Sequence, residues 1–112
     1  MTLNDDLIEA RTALIMRGWH QGNYESEDEK ICALGACRAA VGLTVMPMLG
    51  SAKTITQEQS VRLGAMTRAL AAQEPSTTWR TIASYNDDPE TTFDDVLDLF
   101  DRAIKDSADG AA

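Results

Sequence analysis

A chain of 112 residues with 44% hydrophobic content has the size and composition of one ordinary domain, and 18 acidic against 10 basic residues leave it a net charge of −8. Binding to DNA, RNA or an anionic membrane face depends on Lys and Arg neutralising phosphates, so this balance argues against direct nucleic-acid or membrane partners and leaves a basic partner open. A chain this short buries roughly 65% of its unfolded surface, so most large apolar side chains are needed inside and little is left over to line a deep pocket.

The stretch Met1 to Leu7 is acidic and lacks the charged and apolar regions of an export signal, which makes the cytoplasm the expected compartment. Asn4 or Thr2 can cap a first helix from about Asp5 to Arg17, in which Leu7, Leu14 and the pair Ile8 and Ile15 recur at helical intervals; Gly18 ends it. Trp19 to Tyr24 then alternates large and polar residues. With Lys30 and Ile31 across the polar stretch Glu25 to Glu29, it has the pattern of a short β-hairpin.

From Cys32 to Leu43 the spacing predicts a central helix, apolar almost all round, whose Gly35, Ala36, Ala39 and Gly42 let neighbours approach closely. Ile31 to Ala52 carries one charge, Arg38, but Gly42, Pro47 and Gly50 interrupt it, so a core helix fits better than a membrane span. The connection through Pro47 and Gly50 tucks Met46, Met48 and Leu49 against the core. Thr56 with Gln59 is a capping box opening a third helix to about Ala72, with Leu63, Met66 and Leu70 inward.

Pro75 breaks the chain, and Ser76 caps a short helix carrying Trp79, Ile82 and Ala83 on one side. Asn86-Asp87-Asp88-Pro89 predicts a turn, because the residue before proline avoids helical geometry. Thr92 with Asp95 starts the last helix, with Phe93, Val96, Leu97, Phe100 and Ile104 inward, Asp94, Asp95, Asp98 and Asp101 outward, and a frayed tail from Ser107. The sum is a mainly α, single-domain bundle of four or five helices over 1–112, ordered from about 4 to 106, with room for a short β-hairpin near 19–31.

With these elements placed, Arg17-Gly18-Trp19, Gln21-Gly22, Cys32 to Ala36, Tyr85-Asn86-Asp87 and Thr92 with Val96, Leu97 and Ala103 resemble a family of small uncharacterised proteins of actinobacteria and their bacteriophages. The likeness runs from about residue 7 to 105. Tyr85 stands where that family has tryptophan, and His20 where its pattern reserves no histidine. The resemblance implies an actinobacterial or phage origin and no activity. It also implies that Trp19, Gln21, Cys32, Asn86 and Asp87 belong together.

Three chemistries can be weighed. A thiol enzyme would use Cys32, placed at a helix N-terminus where the dipole and free N–H groups lower a thiol pKa, with His20 across the hairpin as base; the competing reading is a small buried hydrophobe. A metal site would draw on Cys32, Cys37 and His20, but a structural zinc needs four converging ligands and five residues on a helix point the two thiols apart. Asp87, Asp88 and Glu90 lack the alternating acids and central Gly of a calcium loop. The acids of 25–29, 87–90 and the stripe Asp94, Asp98, Asp101 can imitate a phosphate array, or be the solvated face of an ordinary helix design.

No catalytic set has a spacing fixed by its chemistry. The expectation is therefore a small acidic, non-enzymatic module, without cofactor or metal, that binds a host protein through the 19–31 hairpin and the 85–90 loop. Trp19, Gln21, Tyr24, Asn86 and Asp87 are its partner-binding candidates. A Cys32-dependent hydrolase or transferase, and an acidic mimic of nucleic acid, are the alternatives.

Overall fold

The computed structural model describes residues 2–21, 30–42, 55–73 and 82–110, which hold five helices: α1 (Leu3–Arg17), α2 (Ala33–Ala40), α3 (Gln57–Ala71), α4 (Ile82–Asp87) and α5 (Phe93–Gly110). The protein is a mainly α bundle. Tyr24, Trp79 and the connection with Met46, Pro47 and Met48 lie outside the described residues, as do the acids from Glu25 to Glu29.

Three helices begin with a reciprocal pairing of threonine and the residue three positions on. Thr2 with Asp5, Thr56 with Gln59 and Thr92 with Asp95 each exchange side-chain and backbone bonds of 2.9 to 3.3 Å, satisfying amides that the first turn leaves free. α1 therefore starts from Thr2, not Asn4, whose amide instead reaches the Ile104 carbonyl at 2.9 Å and ties α1 to α5. At its other end Gly18 turns the chain with φ of 89°, a conformation that would strain any residue with a Cβ.

α1 packs on α2, α5 and α3, and α2 also touches α3 and α4. Leu7, Ala10 and Leu14 of α1, Ala33, Ala36 and Cys37 of α2, Met66 and Leu70 of α3, and Val96, Leu99, Phe100 and Ala103 of α5 form the core. Small side chains on α2 fit its central place, since Ala33, Gly35 and Ala36 are all buried. Two expectations are corrected here. α5 runs to Gly110, and its inward stripe is wider than expected, because Leu99 is fully buried beside Phe100. Ile8 and Ile15 are exposed, not core. No helix among the described residues is long and apolar enough to cross a membrane.

One polar pair sits inside this framework. Asp6 is 2% exposed, and its two carboxylate oxygens accept from Arg62 Nε at 3.0 Å and Nη2 at 2.8 Å, a bidentate bond that locks α1 to α3. Asp6 occupies a position of the apolar stripe, four residues before Ala10 and eight before Leu14. An acid there must be paired, because an unpartnered buried charge is strongly destabilising.

Candidate functional site

Past Gly18 the chain runs back along the entry to α2. The Ile31 amide donates to the Gly18 carbonyl at 2.9 Å and the His20 amide to the Ile31 carbonyl at 3.2 Å. This pattern is a single parallel bridge between Trp19 and Ile31. The expected contact between these two positions exists, but with the opposite sense to a hairpin, and residues 22–29 of that expectation lie outside the described residues. A parallel pair needs a connection that returns to the starting edge, which a tight two-residue turn cannot provide.

Asn86 closes the arrangement from the last turn of α4. It is 1% exposed, and its carboxamide is bonded on both sides. Oδ1 accepts from Trp19 Nε1 at 2.6 Å and from the Ala33 amide at 3.0 Å; Nδ2 donates to the His20 carbonyl at 3.3 Å and to Asp87 Oδ1 at 2.9 Å. Gln21 completes the clasp, its Nε2 donating to the carbonyls of Asn86 at 3.0 Å and Asp88 at 2.7 Å. The Trp19 ring stacks on Phe93 at the start of α5, with centroids 6.1 Å apart and planes within 6°. Four of the five partner-binding candidates, Trp19, Gln21, Asn86 and Asp87, thus meet at one place. The fifth, Tyr24, lies outside the described residues.

A family model matches residues 1–106, a span that contains the whole clasp. The chain belongs to DUF6197, a family of unknown function. No curated protein and no solved structure matches it.

Within this DUF6197 chain the clasp corrects two local expectations. Asn86 and Asp87 are the last residues of α4 and not turn residues; the turn forms at Pro89 and Glu90, where Asp88 Oδ1 accepts from the Glu90 amide at 2.8 Å. Asn86 is a buried linchpin, while Gln21, Asp87 and Glu90 are the exposed residues around it. Sequence reading grouped these residues but not their division into structural and exposed ones. The Asn86 partners stand up to 67 residues away, beyond the reach of local pattern.

Cys32 is the N-cap of α2, and its Sγ accepts from the Gly35 amide at 3.3 Å. Burial pushes its thiol pKa up, outweighing the bonds from the Gly35 and Leu34 amides that pull it down; the nearby Asp87 charge also raises it. The expectation of a pKa lowered by the helix start is therefore reversed, because desolvation is the larger effect at a buried cap. Among the described residues no hydrogen bond joins His20 to Cys32, and the buried His20 Nε2 has no partner. Cys37 is fully buried, its thiol pushed up to about 12 by burial first, then by the proximity of Cys32 and Asp6. Both cysteines are free thiols. No three His, Cys, Asp or Glu side chains among the described residues are placed to share a metal ion.

The acidic stripe of α5 is exposed at Asp94, Asp98 and Asp101, but it is not an uninterrupted row of negative charge. Asp101 lies 2.6 Å from Arg11 and Asp98 lies 3.0 Å from Arg102. Arg11 Nη2 also donates to Asp101 Oδ2 at 3.4 Å, and both pairs lie at the surface, where such contacts are worth about 0–1 kcal/mol. They nevertheless neutralise two of the three carboxylates of the stripe.

Proposed function

We propose that this protein is a small acidic binding module that acts, without chemistry of its own, on a basic protein surface of its host cell. Its binding face is the rim of the clasp, formed by Gln21, Asp87, Glu90 and the exposed start of α5. The observation that carries this reading is the use of a fully bonded, buried asparagine to fix two irregular chain segments, so that exposed polar groups are held in a set arrangement. Rigidity in such a surface lowers the ordering cost of association. The net charge of −8 favours a basic partner and speeds encounter with it.

The origin we propose is an actinobacterium or one of its phages, which makes a host protein the natural target. The compartment is the cytoplasm, in keeping with two free thiols. The Cys32 enzyme is the weaker reading, because a buried and protonated thiol is a poor nucleophile. Imitation of nucleic acid is weaker too, since arginines interrupt the α5 stripe.

The test is affinity capture from an actinobacterial lysate with the wild-type chain and with the double substitution Glu90→Lys, Asp94→Lys. The expected result is a partner recovered by the first and lost by the second, while both melt cooperatively and within a few degrees of each other. Recovery unaffected by charge reversal would overturn the proposed face. A partner released by competing DNA would favour mimicry instead.

A further inference from the structure

We draw no further inference here: the strongest candidate, the exposed apolar strip of Ile8, Ile15 and Met16 on the outer side of α1, has nothing in the structure to show what covers it.

Discussion

The chain uses two polar devices to lock its helices, and they differ in kind. Between α1 and α3 the lock is ionic: Asp6 and Arg62 form a two-point pair that joins two regular elements already held by apolar packing. At the clasp it is neutral: Asn86 joins a helix end, a helix start and a bridge of extended chain through their backbone and indole groups. An ion pair taken out of water gives back in attraction much of what it costs in desolvation, so apolar residues can replace it. An amide that satisfies backbone groups has no apolar substitute, because those groups remain when it is gone. The ionic lock should be replaceable and the neutral one should not.

Asn86→Ala is a large perturbation of the neutral lock. It leaves the buried Ala33 amide and the half-buried Trp19 indole N–H without their acceptor, a loss of about 3 kcal/mol at roughly 1–3 kcal/mol for each unsatisfied buried group. Chemical denaturation should show it as a lower midpoint, and a change under 1 kcal/mol would mean that water takes over the amide's role. Arg62→Ala should lower the melting temperature by a comparable amount, since it leaves the Asp6 carboxylate, only 3% exposed, without its partner, and removing one member of a buried pair costs about 3–5 kcal/mol. The contrast sharpens with the pair Asp6→Leu, Arg62→Met, which should regain most of the loss; failure to do so would remove the distinction between the two locks.

A third test concerns Cys37, which feels the Asp6 charge across the core. Its thiol is held above its ordinary value of 9.0, at about 12, so in alkali the unfolded chain gives up a proton that the folded chain keeps. The resulting stability is complete below about pH 9 and is lost as pH rises towards 12, at no more than about 1.4 kcal/mol per pH unit. Cys37→Ala should flatten that alkaline decline while leaving the dependence below pH 8 unchanged. Smallest of all is Trp19→Phe, which keeps a ring against Phe93 and loses one hydrogen bond while Asn86 retains its Ala33 partner; about 1 kcal/mol is expected in the same denaturation series.

Local rules made much of the fold legible. Thr56 with Gln59 and Thr92 with Asp95 announced two helix starts, and the spacing of Met66 with Leu70 and of Val96 with Phe100 identified inward faces. Asp6 escaped notice because an acid in the first turn is ordinary helix design, favoured by the dipole, and only its place on the stripe of Ala10 and Leu14 marks it as buried. The sense of the Trp19 to Ile31 bridge was illegible for a different reason: alternation of large and polar residues predicts extended chain but not the direction in which its partner runs. The grouping of Trp19, Gln21, Asn86 and Asp87 came from family resemblance, and nothing in composition or spacing shows that an amide in α4 bonds to an amide in α2.

The way each helix begins carries a consequence for assembly. α1, α3 and α5 open on threonine pairs that need no neighbour, so they can start on their own in a collapsing chain. α2 opens on a thiol, a weak acceptor, and leaves the amide of Ala33 to be met from α4. The innermost helix should therefore be the last to acquire protection. In pulsed hydrogen exchange during refolding, the amides of 33 to 37 should become slow after those of α5, and simultaneous protection would refute the sequence.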